Sequence, residues 1–431
     1  MLGMVFGVFI LSMVFALPMA VSMGLATITP QLMNPAFPGK MNYIIQAMVS
    51  GLNTTPILAI PLFMLSGALM TRGGISRKLF DIFATLVGRR TAGIPCAVVI
   101  TCLFYGAISG SGPATTAAVG AMCIPLMVEL GYDEVFSAAV VATAGGLGVI
   151  IPPSIPFIMY GLFTGVSVGD MFLGGIIPGC VIALTLMVYC YIYCRGKGHE
   201  DKGKIEQNYQ RLKKKGLWSV LREGFWALLT PVIILGSIYG GFATPTEAAC
   251  ISVFYALIVC LFIYRSIKPR EIPHLFKDAI ASYAPICLLL ALAQGFSRIL
   301  TLLQAQTVVQ SFVTTYVHNG VTFMLVLNIL LLVLGMFMDV GAAVVILGPI
   351  LLPIAQAFGI SGVHLGVVMV TNLAIGFVTP PFGMNLFVAA PLVNTSVAKL
   401  GKKALPFIGC FIIALLLITF CPQLSMCLIG G

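Results

Sequence analysis

The sequence predicts an all-α polytopic membrane protein of two inverted halves, each carrying a re-entrant helical hairpin and a discontinuous helix. Three observations lead there. Hydrophobic residues make up 59% of the 431 positions and charged ones only 8%. Soluble proteins carry about 25% charged residues, so this surface faces lipid. Breaks rich in Gly and Pro recur at one fixed offset along the chain, and basic residues gather in short loops that satisfy a single topology.

The mean hydropathy is +1.08, and apolar runs long enough to span recur, for example around Val181–Tyr193, at Ala248–Ile263 and at Phe407–Phe420. The net charge of +10 sits in loops between these runs. It therefore carries topology information and excludes nucleic acid as a partner. The start is apolar without a basic n-region, which predicts a retained first helix rather than a leader. The twelve cysteines, among them Cys96, Cys102, Cys123, Cys250 and Cys410, are scattered singly without metal-type spacing and read as small buried apolar residues.

In chain order, a scaffold helix (4–28) and link occupy 1–42. The first repeat covers 43–195: a crossing over 43–71, an amphipathic interfacial segment Ile75–Gly88, a hairpin over 93–130 and a broken helix over 134–164. Ser109-Gly110-Ser111-Gly112-Pro113 is a poor helix interior and a good hairpin tip. A cytoplasmic basic loop and two scaffold spans fill 196–276, with nine of the 23 Lys and Arg in Arg195–Arg222. The second repeat covers 277–431, with a hairpin over 321–358 and a broken helix over 362–393. Basic loops on one side place the N-terminus in the cytoplasm and the C-terminus outside, with Lys40 the one dissenter.

A shift of 228 residues, the distance from Pro152 to Pro380, superposes the halves. Pro153 then meets Pro381, Gly67 meets Gly295, Pro125 meets Pro353, Gly131 meets Gly359, Gly148 meets Gly376 and Pro178 meets Pro406. Matching Gly and Pro fix breaks, so they outweigh chance Leu and Val matches. Two crossings between three-crossing halves invert the second repeat. Paired interruptions of this kind point to a transporter binding site.

Backbone broken at membrane depth is tolerated where it faces protein, water or an ion. Hydroxyls, carbonyls and one carboxylate are hard ligands suited to Na⁺, so two Na⁺ sites are expected, each where a tip meets the break of its own repeat. The first draws on Ser109, Gly110, Ser111, Pro152, Pro153 and Ser154. The second draws on Asp339, Gly376, Thr379 and Pro380. A carboxylate in an apolar hairpin marks function, although Asp339 can also cap the following helix arm. The serines can equally serve tight helix packing. Arg298 reads either as a counter-charge for an anionic substrate or as an interfacial snorkelling residue, and Asn372 and Asn385 join it as candidate substrate contacts. His318 and His364 read as polar surface, and Thr244 to Glu247 as a helix cap. No HExxH, Ser/His/Asp set or paired carboxylates occur in the spans, so no enzyme is expected. Polar residues gathered at two tips rather than along a path argue against a channel.

Ser109–Thr115 followed by Gly131-Tyr132, Ile150–Ser154 with Tyr160-Gly161, Pro178-Gly179, Gly241–Ala249 and Thr379–Gly383 together resemble the large membrane subunit of tripartite ATP-independent periplasmic (TRAP) transporters, nearest to sialic-acid systems. That resemblance implies a sodium-driven, elevator-type secondary transporter in the bacterial inner membrane. A mobile domain holding both hairpins would slide against a fixed scaffold. It implies as partners a small four-helix membrane subunit on a separate chain and a periplasmic binding protein, and as substrate an organic acid such as a C4-dicarboxylate or sialic acid. The alternative is a self-sufficient sodium–carboxylate symporter of related architecture.

Overall fold

A computed structural model describes residues 1–15, 17–197, 200–214 and 216–429. Helices joined by turns and irregular links make up the described residues, and seven helices are long and apolar enough to cross a membrane. The chain opens with α1 (Leu2–Val14) and α2 (Met19–Met33), packed side by side. The single helix expected over 4–28 is thus two, because Pro18 has no N–H and its ring crowds the preceding turn. α3 (Met41–Leu52) follows, then a tight turn at Thr55–Leu58 and α4 (Ala59–Arg72). The expected crossing over 43–71 also divides: Pro56 starts a new helix rather than continuing the old one.

α5 (Ile75–Val87) is the expected amphipathic segment. It buries Ile75, Leu79, Phe80, Ile82 and Phe83 and leaves Arg77 outside. The first hairpin is α6 (Gly93–Ser109) and α7 (Gly112–Glu129). The first interrupted helix is α8 (Glu134–Gly145) with α9 (Ile155–Thr164), and α10 (Val168–Lys197) leaves the repeat.

The basic stretch holds a helix that the sequence did not suggest, α11 (Lys202–Lys214). Residues 198, 199 and 215 of that stretch lie outside the described set. Glu200 ties it down by accepting from the Ala92 N–H at 2.6 Å and the Tyr132 hydroxyl at 2.9 Å. α12 (Leu217–Tyr239) and α13 (Pro245–Ile258) come next. Thr244 and Glu247 form the capping box of α13, with the Thr244 N–H 2.7 Å from the Glu247 carboxylate. α14 (Ile272–Leu302) is continuous over 31 residues.

The second half repeats the pattern with α15 (Ala305–Tyr316), hairpin α16 (Gly320–Gly335) and α17 (Val340–Ala357), and the interrupted pair α18 (Gly362–Gly376) and α19 (Met384–Ala389). α20 (Val397–Phe420) and α21 (Gln423–Met426) close the chain. α17 begins and ends 228 residues after α7, and α18 begins 228 after α8, so the offset read from Gly and Pro holds for whole elements.

The two halves are intertwined. α9 of the first repeat packs on hairpin arm α17 of the second, and α19 of the second packs on arm α7 of the first. Met159 lies against Gly341, and Leu392, just past α19, against Gly120. α10 and α20 pack together at the centre, and Tyr105, Phe136, Tyr160, Phe407 and Phe411 are fully buried in this core. Leu184 and Ile192 of α10, Phe254 of α13 and Ile413 of α20 point outward, as lipid-facing positions do. His364 departs from its expected place at the surface. It is buried, with Nδ1 2.7 Å from Ser425 Oγ and Nε2 3.2 Å from the Thr419 carbonyl, because the C-terminal helices fold over it. His318 is exposed as expected.

Candidate functional site

At the first tip, α6 ends at Ser109 and Gly110 turns the chain in the left-handed region, with φ 62°. Glycine is the residue that takes that conformation freely. Ser111 then starts α7 in extended conformation, with Pro113 in the first turn. Ser109 Oγ lies 2.8 Å from Thr115 Oγ1, which donates to the Ser111 carbonyl at 2.8 Å. Two hydroxyls and a carbonyl are thereby gathered at one point.

This tip sits on the break of its own repeat. The Ile155 N–H donates to the Gly110 carbonyl at 3.4 Å, and a Cβ on Gly110 would lie 2.8 Å from the Pro153 carbonyl oxygen. Pro152 and Pro153 are buried and joined by a cis bond; Pro380 and Pro381 are also joined by a cis bond, but Pro380 is half-buried and Pro381 exposed. Ser154 bridges the interruption. Its hydroxyl donates to the Val149 carbonyl at 2.5 Å and accepts from the Phe157 N–H at 3.3 Å. The six residues expected at the first site thus lie on a tip and a break that meet at Gly110, Pro153 and Ile155. Thr115 joins them; one turn after Ser111, it was within reach of the sequence but not singled out.

The second tip is built differently. Asp339 caps α17 and its Oδ2 accepts from the Gly341 N–H at 2.9 Å. Asp339 as a residue is exposed and lines a cavity. The tip meets its own break through Gly335 against Gly376 and through the rings of Phe337 and Phe382, whose centroids are 6.0 Å apart. Thr379 lies in that break, its hydroxyl donating to the Ile375 carbonyl at 2.7 Å and its N–H to the Gly376 carbonyl at 3.2 Å. Pro380 packs toward Gly401. Asp339 and Thr379 share no hydrogen bond among those described.

What joins the two tips is a cavity of about 300 Å³. Ser111 enters it from the first tip, Asp339 from the second, Ile155 and Phe377 from the two breaks, and Ile286 and Leu289 from α14. The exchange of hairpin partners between repeats produces this convergence. A second compartment of about 330 Å³ continues along α14 toward Thr71, Asp278 and Ser282, with Ser111, Ile155 and Ile286 lining both.

The three candidate substrate residues fall elsewhere. Arg298 opens on a separate groove between α3 and α14, beside Tyr43, Gln46 and Asn53. The position that sequence gave it near a helix end is right, but α14 turns its side chain away from the tips. Asn372 is buried and donates to the Asn328 carbonyl at 3.0 Å and side-chain oxygen at 2.7 Å. Asn385 is buried and donates to the Ala142 carbonyl at 2.9 Å. The Oδ1 atoms of both asparagines, and Thr371 Oγ1, are buried without a hydrogen-bond partner.

Long apolar helices and two hairpins meeting two interrupted helices around one cavity define a multi-pass membrane transporter, not an enzyme. The chain belongs to the DctM component family of tripartite ATP-independent periplasmic transporters, whose family model matches residues 6–424. It is 41% identical over 429 residues to the isethionate TRAP transporter permease protein DctMQ of Oleidesulfovibrio alaskensis, covering all of this chain and 66% of that protein. It is 40% identical to the C4-dicarboxylate TRAP transporter large permease protein DctM of Pseudomonas aeruginosa, over 86% of each chain. The sialic acid large permease protein SiaM of Vibrio cholerae is 32% identical over 90% of this chain and 89% of its own. Among solved structures, the Alcanivorax borkumensis YdaH transporter superposes with a TM-score of 0.65 over 90% of both chains at 16% identity, a likeness of fold alone.

Proposed function

We propose that this chain is the substrate path of a sodium-driven importer of small organic anions in the bacterial inner membrane. It receives substrate from a periplasmic binding protein and works with a separate small four-helix membrane subunit. The observation that carries the reading is the single cavity onto which both hairpin tips open, walled on one side by α14. Na⁺ is cargo in this reading. Ser109, Thr115 and the Ser111 carbonyl offer hard oxygens at the first tip, and Asp339 offers a carboxylate at the second. The unpartnered buried oxygens of Asn372 and Asn385 add acceptors that favour a nearby cation or water, since such groups cost roughly 1–3 kcal/mol when left unmatched. The mobile unit is the hairpins with the interrupted helices, moving elevator-fashion against α4, α13 and α14.

Uptake into proteoliposomes tests this. Substrate should accumulate only with an inward sodium gradient and only when the small subunit and the binding protein are both supplied. Uptake by the chain alone, without a binding protein, would establish a self-sufficient sodium–carboxylate symporter instead.

The orientation has its own test. Lys213 is exposed on α11. A Lys213→Cys variant in which the exposed native Cys180, Cys421 and Cys427 are replaced by serine should, in right-side-out vesicles, resist a membrane-impermeant thiol reagent and react once the membrane is opened. Labelling from outside would reverse the topology and the assignment of the two hairpins to opposite faces.

A further inference from the structure

The first hairpin is closed at its root by a residue from outside it. Ala92 immediately precedes α6 and Tyr132 lies just beyond the end of α7, so they stand at the hairpin's two ends. Both are buried. One atom of the basic stretch joins them: Glu200 Oε1 accepts from the Ala92 N–H at 2.6 Å and from the Tyr132 hydroxyl at 2.9 Å. Ala92 takes the left-handed conformation, with φ 58°, which is unfavourable for a residue with a Cβ. Its amide has no partner within α6, so without Glu200 a buried donor goes unmatched. Neighbouring residues fit the same place. A Cβ on Gly131, at φ 93°, would lie 3.1 Å from the Asp201 Cβ, and Arg89 Nε is 3.2 Å from the Glu206 carboxylate.

The second hairpin closes its own root. The 228-residue offset carries Ala92 to Gly320, Tyr132 to Ile360 and Glu200 to Leu428, which has no carboxylate to offer. A Cβ on Gly320 would meet the Phe358 carbonyl oxygen at 3.6 Å and Ile360 Cδ1 at 3.9 Å. The Phe323 and Phe358 rings stack there with centroids 5.3 Å apart. The arms of the first hairpin run from root to tip as helices of 17 and 18 residues, rigid elements that carry a displacement at one end to the other. At the far end the tip brings Ser111 to the central cavity and Gly110 to the Pro152-Pro153 break.

We infer that Glu200 is a positioning residue for transport: the two bonds it accepts lock the root of the first hairpin and so set where the Ser111 tip stands against the break and the cavity. The first hairpin is thereby the one whose setting depends on a segment outside it.

Amide hydrogen exchange of the membrane complex, this chain with its small subunit in lipid nanodiscs, reads the effect segment by segment. In Glu200→Ala, exchange should quicken at least about tenfold at the root (92–96), at the tip (109–116) and at the break (153–157), equal to roughly 1.4 kcal/mol of lost protection. The second hairpin, over 320–323 and 337–344, should keep its wild-type rates. Glu200→Gln retains an oxygen that can accept both bonds and should stay within about threefold of wild type; rates as fast as in Glu200→Ala would overturn the inference. Quickening confined to 92–96 would make Glu200 a local cap, and a uniform rise over both hairpins would make it a general stabiliser; either overturns the positioning role. If Glu200→Ala does not fold, Tyr132→Phe removes one of the two bonds and should quicken the same three segments to a smaller degree. Unchanged exchange at the tip in Tyr132→Phe would overturn the inference as well.

Discussion

Asp339→Asn is expected to lower sodium-driven uptake at least about 100-fold, equivalent to roughly 2.7 kcal/mol, while leaving the fold in place. Two roles meet at this residue, and the substitution separates them. As a cap, Asp339 accepts from the Gly341 N–H at 2.9 Å, and asparagine caps about as well as aspartate. As a charge, it lines the cavity between the tips, and asparagine removes only that. If capping were its whole task, Asp339→Asn would transport like wild type. Asp339→Ala, losing both roles, would then be the variant that fails, through a stability loss of about 0.5–2 kcal/mol. The charge reading requires the sodium concentration for half-maximal uptake to rise in Asp339→Asn. Uptake within about threefold of wild type at limiting sodium, a shift under roughly 0.7 kcal/mol, would end it.

Gly376→Ala should destabilise the protein by about 3 kcal/mol, the upper end of the usual cost of overpacking. A Cβ there would sit 2.1 Å from the Gly335 carbonyl oxygen and 2.7 Å from the Gly335 Cα. Both are main-chain atoms, so no rotamer change relieves the clash and α16 must shift away from α18. The first repeat has the same construction, with a Cβ on Gly106 falling 2.7 Å from the Gly148 Cα. Gly409→Ala is the control. It has open space around it and should be neutral or gain up to about 1 kcal/mol from helix propensity. Melting temperature and folded yield in detergent measure both, and equal values for Gly376→Ala and wild type would contradict the close crossing.

The 228-residue offset was visible in sequence because Gly and Pro mark breaks whatever surrounds them, and the limits of α7 and α17 follow it. Hairpin tips, interrupted helices and the cap at Thr244 were legible for the same local reason. Pro18 and Pro56 were equally local signals. Both were passed over inside apolar runs, and each stands at a helix start, Pro18 as the N-cap of α2 and Pro56 in the first turn of Thr55–Leu58. The expectation that each tip meets the break of its own repeat holds for the backbone contacts, Gly110 against Pro153 and Gly335 against Gly376. It missed the common cavity, because internal similarity says that two halves are alike without saying which packs on which. Arg298 and His364 depended on the same long-range information: the face that α14 turns to α3, and the C-terminal helices that cover α18.

The divided N-terminal region has a consequence for the surrounding lipid. α1, α2 and α3 have 13, 15 and 12 residues, so at about 1.5 Å per residue none exceeds roughly 23 Å, against an apolar bilayer thickness of about 30 Å. Ile10, Leu25 and Val49 face outward along them. α10 and α14, with 30 and 31 residues, span that thickness with length to spare. The flank made by these three helices is therefore mismatched in height with the membrane, whereas α10 and α14 are not. The bilayer must dimple against that flank or another helix must cover it, which makes acyl-chain length a force that acts on this molecule from one side.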